Sequence, residues 1–367
     1  MTIFNYICVS MEEPDFRTNT LLKPLSWIWA AFTSIRNALF DKGICRSESF
    51  PVPVISVGNI TVGGTGKSPH TAYIASLLSH INRIAILSRG YGRRTKGFRI
   101  VSPSDTCHSI GDEPLMLSNI LPDICVAVDE DRVHGIRTLI RNKLNPQVII
   151  LDDAFQHRRV TPSLNILLVN YNRNILHDCI MPAGRLREST RNRGRADIII
   201  VTKCPLNLDE AEMKKIASDL ITNKNQKIYF STFEYLPLYK LSDHSEYVPD
   251  NTTPILAVTG IAFPQPMITR LKDMSQNISL LSFPDHHSFT NKDLHNISSS
   301  LDRLGPEAII ITTEKDAARL RNIYLQPGLL DRIYILPITV SFLRDGKLFD
   351  EQITGHVKSF LKKQIHD

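Results

Sequence analysis

ISVGNITVGGTGKS, residues 55–68, decides the fold of this chain, because an apolar run passes directly into a glycine-rich turn that ends in Gly-Lys-Ser. Glycines in such a turn let backbone N–H groups converge on an anion, the lysine supplies a mobile cation, and the serine hydroxyl can bind Mg²⁺. The stretch predicts a phosphate-binding loop for a nucleoside triphosphate. The predicted contact residues are Thr61, Val62, Gly63, Gly64, Thr65, Gly66, Lys67 and Ser68.

The residues on either side support this interpretation, although Thr61 stands where the pattern G-x-x-x-x-G-K-[ST] has its first glycine. Residues 51–57 read as a buried strand bounded by prolines. Pro69 falls in the first turn of a predicted helix, where proline is tolerated. An ordinary glycine turn between a strand and a helix is the alternative. The apolar face of the helix would carry Tyr73, Ile74, Leu77 and Leu78.

The composition is that of a globular protein in a reducing compartment. The chain has 367 residues, of which 42% are hydrophobic, so it can bury a substantial core and its length favours two domains. Its six cysteines lie far apart and include no C-x-x-C pair. This spacing argues against a disulfide framework and against a structural zinc site, and it favours the cytosol.

The positive charge of the chain predicts anionic ligands. The formal net charge is +6, and arginines cluster at residues 89–94, 158–159 and 185–195. Such clusters favour phosphate groups or an anionic membrane surface. Nucleic acid is not expected as a partner, because the clusters lack interleaved aromatic residues and no recognised binding motif accompanies them. No obligate protein partner is evident.

The N-terminal segment predicts an amphipathic helix across residues 21–40. Glu12, Glu13 and Asp15 stand where a secretory signal would carry basic residues, so no signal peptide is expected. Arg36 leaves the uncharged stretch too short to span a bilayer, which favours a peripheral or monotopic anchor. A helix packed on the protein's own core is the alternative. The apolar residues at helical spacing are Leu25, Ile28, Trp29, Phe32, Ile35 and Leu39.

Apolar runs and helical segments alternate along the rest of the chain, which predicts an α/β fold. Predicted strands at 83–88, 124–128, 147–151, 164–170 and 197–202 are interspersed with helices at 113–119, 132–142 and 209–222. We expect a P-loop NTPase-like, mostly parallel sheet with helices on both faces. A second, smaller α/β unit follows. Its strands are predicted at 255–259, 279–283, 308–312 and 333–336, and its helices at 265–274, 292–304 and 316–322.

The predicted domain boundaries follow from these patterns. Residues 1–48 form an N-terminal segment with the membrane-associating helix, and residues 49–232 form the phosphate-loop core. Residues 233–253 have no sustained period and are rich in Tyr, Ser, Pro and acids, so they read as a linker or hinge. Residues 254–367 form the C-terminal domain.

Paired acids follow a buried strand at residues 148–153, which read VIILDD. A parallel core strand of this kind ends beside the phosphate loop, where a carboxylate can hold Mg²⁺ directly or through water. Asp152 and Asp153, together with Ser68, are therefore the predicted metal ligands.

Two further acidic groups have more than one interpretation. Asp112 and Glu113 lie at the start of a predicted helix, where negative charge also serves as simple capping. Asp285, His286 and His287 follow a strand and could form a metal pair, a base with its orienting carboxylate, or a solvated loop. No H-E-x-x-H helix supports zinc.

Seven motifs occur in order along the chain, at residues 56–69, 87–93, 111–114, 152–159, 182–188, 283–286 and 312–316. Together they resemble the tetraacyldisaccharide 4'-kinase family, the membrane-associated P-loop kinases of lipid A synthesis. The resemblance covers nearly the whole chain from Pro24 onward. It implies transfer of the ATP γ-phosphate to the 4'-hydroxyl of a tetraacylated glucosamine disaccharide 1-phosphate, with ATP and Mg²⁺ as cofactors.

The same resemblance assigns roles to individual residues. Asp112 matches the family's proposed catalytic base, and His286 matches the histidine that works with it. A carboxylate in hydrogen-bond reach can accept the proton of a sugar hydroxyl as the phosphoryl group transfers. Lys67 is the third expected catalytic residue. The expected substrate-side residues are Arg89, Glu113, Arg185, Arg187 and Glu188.

The resemblance also implies a location, namely the cytoplasmic face of the inner membrane of a Gram-negative bacterium. The main alternative function is a regulatory or metallochaperone ATPase that switches protein partners, but such proteins usually carry a lysine where this chain has Val62. A GTPase is the second alternative, and residues 202–205, TKCP, lack the Asn and Asp of the guanine-reading N-K-x-D. A binding module without chemistry is the third.

Overall fold

A computed structural model of the protein describes residues 18–321 and 323–366, and it shows a mixed α/β fold with two sheets. The predicted absence of a signal peptide rests on Glu12, Glu13 and Asp15, which lie outside the described residues. The strands are β1 Val54–Gly58, β2 Ile84–Ser88, β3 Arg99–Ile100, β4 Cys125–Val128, β5 Val148–Asp152, β6 Leu164–Asn170, β7 Ile198–Thr202, β8 Lys227–Tyr235, β9 Leu238–Lys240, β10 Glu246–Tyr247, β11 Ile255–Thr259, β12 Ile278–Ser282, β13 Ile309–Thr313, β14 Ile333–Leu336 and β15 Ile338–Phe342.

Eleven α-helices connect and cover these strands in the described part of the chain. They are α1 Lys23–Asp41, α2 Lys67–Ser79, α3 Cys107–Ile110, α4 Asp112–Ile120, α5 Arg132–Arg141, α6 Glu210–Leu220, α7 Gln265–Lys272, α8 Asn291–Leu304, α9 Glu314–Leu320, α10 Pro327–Leu330 and α11 Gly346–His366. Two 3₁₀ segments complete the set, at Thr20–Leu22 and Thr190–Arg195.

The larger sheet has nine strands in the order β15-β8-β7-β6-β1-β5-β2-β4-β3. The pairs from β8 to β4 are parallel, and the edge strands β15 and β3 are antiparallel to their neighbours. Strands β1, β5, β6 and β7 are buried along their whole length, as their near-continuous apolar runs predict. The phosphate-loop strand β1 therefore lies in the middle of the sheet.

Helices pack on both faces of this sheet. Helix α2 contributes Ile74 and Leu78 to one core, and α5 contributes Ile136 and Leu139 to the core on the opposite face. Because parallel strands all end at the same edge, the loops after β1, β2, β4 and β5 converge there. This convergence positions the site.

The smaller sheet has six strands in the order β10-β9-β14-β13-β11-β12. Strands β11 to β14 in this sheet are parallel, while β9 and β10 form an antiparallel edge. The residues predicted as a hinge, 233–253, instead contain the end of β8 and all of β9 and β10. Their strands are short and their apolar residues few, so no period was visible in the sequence.

The C-terminal residues return to the larger sheet, which differs from the predicted boundary of a domain at 254–367. Strand β15 pairs with β8 over residues 338–342. Helix α11 packs its fully buried Phe349, Ile353 and Val357 against the core that contains α2. The burial of these three side chains is the physical reason for the return, since their spacing forms one face of the helix.

Helix α1 lies on the protein with its polar side. The buried residues of α1 are Ser26, Thr33 and Asn37. Trp27 and Ile28 are 70% and 69% exposed, and Phe32 and Ile35 are also exposed. Most of the apolar stripe therefore faces away from the protein, which argues against the alternative of a helix packed on the core, and only Leu39 of the stripe is half-buried. Among the described residues, no helix is long and apolar enough to cross a membrane.

Candidate active site

The phosphate loop is held in shape by hydrogen bonds from three directions. Asn59 Nδ2 donates to Thr65 Oγ1 at 2.8 Å, and Thr202 Oγ1 donates to the Thr65 carbonyl at 3.0 Å. The Val62 N–H donates to the Arg185 carbonyl at 2.8 Å. The first N–H groups of a helix have no partner within it, so the N-terminus of α2, capped by Gly66 at the end of the loop, is suited to binding an anion.

Two glycines in the loop adopt conformations that other residues avoid. Gly63 has φ +102° and Gly66, the N-cap of α2, has φ +81°. A Cβ at Gly66 would also collide with the ring of Phe233 on β8. The sequence pattern therefore reflects backbone geometry at both positions.

Gly66→Ala is expected to lower the free energy of unfolding by about 1–3 kcal/mol from backbone strain alone, and to weaken ATP binding. Chemical denaturation and isothermal titration with ATP measure the two effects. Gly355→Ala is the matched control, because Gly355 lies in α11 and a Cβ added there would meet no atom within 4 Å. Equal stabilities for the two variants would contradict the strained geometry at Gly66.

Lys67 and the acids after β5 form one charged group beside the loop. The Lys67 Nζ lies 3.7 Å from Asp153 Oδ2. Arg187 Nη1 donates to both carboxylate oxygens of Asp153, at 3.1 and 3.2 Å. Asp153 has φ +51°, an uncommon conformation for a residue other than glycine, and this turns its carboxylate toward the two cations.

Asp152 is the acid whose surroundings fit a cation. It is fully buried next to the loop, and Thr71 Oγ1 donates to its Oδ1 at 3.0 Å. Burial and the charge of Asp153 raise the pKa of Asp152 to about 7. A nearby Mg²⁺ would offset both the burial of the Asp152 charge and its repulsion by Asp153. Mg²⁺ prefers hard oxygen ligands, and Ser68 Oγ and the two carboxylates could supply them.

No group of three His, Cys, Asp or Glu side chains is arranged to hold a metal ion within residues 18–321 and 323–366. This is compatible with Mg²⁺, which proteins bind through one or two carboxylates while nucleotide phosphates complete the shell.

Asp112 and His286, 174 residues apart in sequence, meet at the site. The distance from His286 Nδ1 to Asp112 Oδ2 is 2.9 Å. Asp112 begins α4 directly after Gly111, and His286 lies in the loop after β12, so the larger and smaller sheets each supply one member. The neighbouring Glu113 contributes to the raised pKa of Asp152, which places the start of α4 beside the phosphate loop.

The carboxyl group of Asp112 is held as an anion. Its burial raises the pKa of Asp112, but hydrogen bonds from His286 and Arg319, together with the Arg319 charge, lower it more. The net pKa of Asp112 lies well below its ordinary value.

The predicted substrate residues divide into two groups. Arg89 is exposed directly after β2, and Arg185, Arg187 and Glu113 are partly exposed. Glu188 is 2% exposed, and both of its carboxylate oxygens accept hydrogen bonds. Its carboxylate accepts hydrogen bonds from Asn37, Gln156, Asn192 and Arg195, so it ties α1 to the loop after β5.

The structure adds residues to which the sequence assigned no role. Buried Arg132 interacts electrostatically with Arg89, Asp152 and Asp153. Burial and the Arg132 charge lower the pKa of His157 to about 4, and its buried Nε2 has no hydrogen-bond partner among the described residues. These groups follow β4 and β5 at the same edge as Arg89, so an anion could be bound there. In the sequence, Arg132 was marked only as the first residue of a predicted helix, and His157 only as a member of the motif at residues 152–159.

The fold and the site define the class of protein. The phosphate loop begins at a central strand of a parallel sheet, a carboxylate pair follows the neighbouring strand, and a carboxylate–histidine pair completes the site. These are the features of a P-loop phosphotransferase. The sequence model of the tetraacyldisaccharide-1-P 4'-kinase family, LpxK, matches residues 18–358. The chain belongs to this family.

Similar proteins agree with this assignment. The chain is 44% identical over 358 residues to a tetraacyldisaccharide 4'-kinase of Phocaeicola vulgatus, covering 95% of this chain and 98% of the relative. It is 40% identical over 343 residues to the one from Flavobacterium johnsoniae, covering 93% and 98%. A crystal structure of LpxK from Aquifex aeolicus in complex with ATP is 30% identical, has a TM-score of 0.72, and covers 92% of this chain and 98% of that one.

Proposed function

We propose that this protein is an ATP-dependent kinase that transfers the γ-phosphate of ATP to the 4'-hydroxyl of a tetraacyldisaccharide 1-phosphate. The observation that carries this proposal is the 2.9 Å pairing of Asp112 with His286 beside a phosphate loop that ends in Lys67 and Ser68. A proton acceptor next to a phosphate donor site is what transfer to an alcohol requires. A partner-switching ATPase has no use for such a pair.

In this mechanism the loop N–H groups and Lys67 hold the β- and γ-phosphates. The acceptor oxygen attacks the γ-phosphorus, the bond from that phosphorus to the β–γ bridging oxygen breaks, and the hydroxyl proton passes to Asp112. His286 orients the Asp112 carboxylate. Mg²⁺, when bound by Ser68 and Asp152 or Asp153, would neutralise phosphate charge as it develops. Arg89, Arg132 and Arg185 provide the positive field suited to the acceptor's own phosphate.

The direct test is an assay with purified full-length protein, γ-labelled ATP, Mg²⁺ and the lipid disaccharide 1-phosphate. Label on the 4'-hydroxyl of the sugar is the expected result. Release of labelled phosphate with none on the lipid would instead support an ATPase. The same lipid with its 4'-hydroxyl blocked is the control acceptor.

We further propose that α1 holds the enzyme on the cytoplasmic face of the inner membrane, where its lipid substrate is found. The support is the orientation of α1, which turns its polar side to the protein and most of its apolar side to solvent. Two of its side chains donate hydrogen bonds to backbone carbonyls of the phosphate-loop core. Arg36 Nη2 donates to the Gln156 carbonyl at 2.6 Å, and Trp29 Nε1 donates to the Arg187 carbonyl at 3.1 Å. The outer face is apolar and has the exposed cations Lys23, Lys42 and Arg46 near its ends. An interfacial helix has this composition.

Replacing Trp27, Ile28, Phe32 and Ile35 together with serine or glutamine is expected to release the protein from anionic phospholipid vesicles. The KM for the lipid should rise while the KM for ATP stays the same, because the anchor concentrates enzyme beside its acceptor. Vesicle sedimentation and steady-state kinetics measure this. These four side chains are preferable to deletion of α1, which would also remove Asn37 from buried Glu188.

The matched control replaces exposed apolar residues elsewhere, Leu206 and Val248, with glutamine. Vesicle binding by the α1 variant equal to that of this control and of the unaltered protein would reject the anchor.

A further inference from the structure

Helix α9 begins within the motif Thr312-Thr313-Glu314-Lys315-Asp316, which none of the roles assigned so far includes. Lys315 and Arg319 are four residues apart, so they lie on the same face of the helix. That face meets the larger-sheet helices α3 and α4, where Ala318 packs with Ile110 of α3 and Leu115 of α4. The two cations are therefore brought to the Asp112–His286 pair from the smaller sheet.

Arg319 holds one oxygen of Asp112. Its Nε and Nη2 donate to Asp112 Oδ2 at 3.0 and 2.7 Å. Its Nη1 donates to the Gly260 carbonyl at 3.0 Å and to Asp316 Oδ1 at 2.8 Å. The side chain is 3% exposed, so its direction is determined by packing and by four hydrogen bonds. A planar guanidinium fixed in this way defines the position of the carboxylate it binds.

Lys315 meets the far side of the histidine. Its Nζ lies 3.3 Å from His286 Nε2, and 3.4 Å and 3.7 Å from the carboxylates of Asp285 and Glu113. An ammonium group can only donate, so Nε2 accepts and the ring proton lies on Nδ1, which faces Asp112. Asp285 Oδ2 is 3.7 Å from the same Nε2, beyond hydrogen-bond length. Arg319 Nη2 is 3.4 Å from Nδ1, farther than Asp112 Oδ2 is.

We propose that Arg319 and Lys315 are positioning residues for the transfer reaction: Arg319 fixes the Asp112 carboxylate, and Lys315 selects the His286 tautomer that donates to it. This inference rests on the proposed function, in which Asp112 accepts the hydroxyl proton. Neither cation touches the reacting atoms. Both act through the Asp112–His286 pair.

The arrangement explains how a buried carboxylate stays ionised. Arg319 and His286 both donate to Oδ2, and neither of these bonds uses Oδ1. The charged and titratable groups around Asp112 are Arg319, Asp316 and Lys315 from α9, His286 and Asp285 from the loop after β12, Glu113 from its own helix, and Cys107 from α3, whose hydrogen bond also lowers the pKa of Asp112. Removing Arg319 would take away its hydrogen bonds and its charge, both of which lower the pKa of Asp112, so this pKa would rise.

The first test is the pH profile of kcat for Arg319→Gln. We expect kcat near neutral pH to fall about a hundredfold, as misplaced catalytic groups commonly cause. The acid limb should also move to higher pH, because a carboxyl group with a raised pKa is protonated there and cannot accept a proton. Arg319→Lys keeps the positive charge, so it should retain part of the activity at acidic pH that Arg319→Gln loses. If Arg319 contributed only to folding, Arg319→Gln would lower the melting temperature but leave the acid limb of the pH profile unchanged. That result would overturn the role of Arg319.

Arg321→Gln is the matched control for this test. Arg321 directly follows α9, and its Nη2 contacts the Leu241 carbonyl and His244 instead of the site. Its profile should match that of the unaltered enzyme, so an equal shift in both variants would also overturn the inference.

The second test determines the tautomer of His286 by NMR and does not depend on enzyme turnover. In protein labelled with ¹⁵N-histidine, the signals of His286 are those absent from His286→Gln. We expect a pyridine-like Nε2 and a pyrrole-like Nδ1 in the unaltered protein, and a shift toward mixed tautomers in Lys315→Met. Lys347→Met, at an exposed position on α11, is the control.

The outcomes separate this inference from the proposed function. A pyrrole-like Nε2 in the unaltered protein, or signals unchanged in Lys315→Met, would overturn the role of Lys315 even in an active kinase. A protein with no kinase activity but with the expected signals would contradict the proposed function and still support the contact between Lys315 and His286.

Discussion

Lys67→Ala is expected to abolish phosphoryl transfer to the lipid. The Lys67 ammonium is the cation at the N-terminal end of α2, and its side chain is 16% exposed at the loop rather than packed in the core. Loss of a cation that stabilises charge on the transferring phosphoryl group removes transition-state stabilisation, so kcat/KM should fall by about 10³-fold or more. Single-turnover kinetics with labelled ATP measures the loss.

The fold should survive this change with a small decrease in melting temperature. Lys67 pairs with Asp153 and lowers the pKa of Asp152, so its removal leaves two carboxylates less compensated. Lys214→Ala is the control, because Lys214 forms an ion pair with Glu210 on the surface of α6. Near-normal turnover by Lys67→Ala would show that these residues do not form the phosphate site.

Asp112→Asn is expected to lower kcat by about a hundredfold or more while ATP binding persists, since general bases typically contribute 10² to 10⁴. The amide keeps the shape of the carboxylate but cannot accept the hydroxyl proton. It also leaves the guanidinium of Arg319 facing a neutral group. Steady-state kinetics and ATP titration measure the two effects separately.

His286→Ala should lower kcat in the same direction. If Asp112 and His286 act as one unit, the double variant should be little worse than the poorer single variant, and fully multiplicative losses would argue against a functional pair. His295→Ala, an exposed position on α8, controls for the loss of a histidine near the smaller sheet.

The sequence predicted the phosphate loop and its strand because both depend on local chemistry. Buried parallel strands need continuous apolar runs, and the loop needs glycines where φ is positive, as at Gly63 and Gly66. The acids after β5 were predicted for the same reason, since a strand of the parallel core has to end at the ligand edge. The family resemblance added Asp112 and His286, which the residues alone left open between several roles.

Residues 233–253 and the C-terminal strand and helix were beyond this reasoning. The strands β9 and β10 are three and two residues long, too short to show a period. Strand β15 belongs to the larger sheet because it finds the free edge of β8, more than a hundred residues earlier in the chain. A strand pairs over such a distance with whichever sheet edge lacks a partner. The residues of β15 do not indicate which edge this is.

The sequence by itself therefore determined the class of fold, the phosphate loop and the amphipathic period of α1, because short-range spacing encodes each of them. Tertiary structure alone decided which side of α1 faces the protein. Hydrogen bonds from Arg36 and Asn37 hold the polar side of α1 against the protein, and no periodicity in the sequence reveals their partners Gln156 and Glu188. It also decided what surrounds Asp112: Arg319, 207 residues away, reaches the carboxylate because α9 packs on α4.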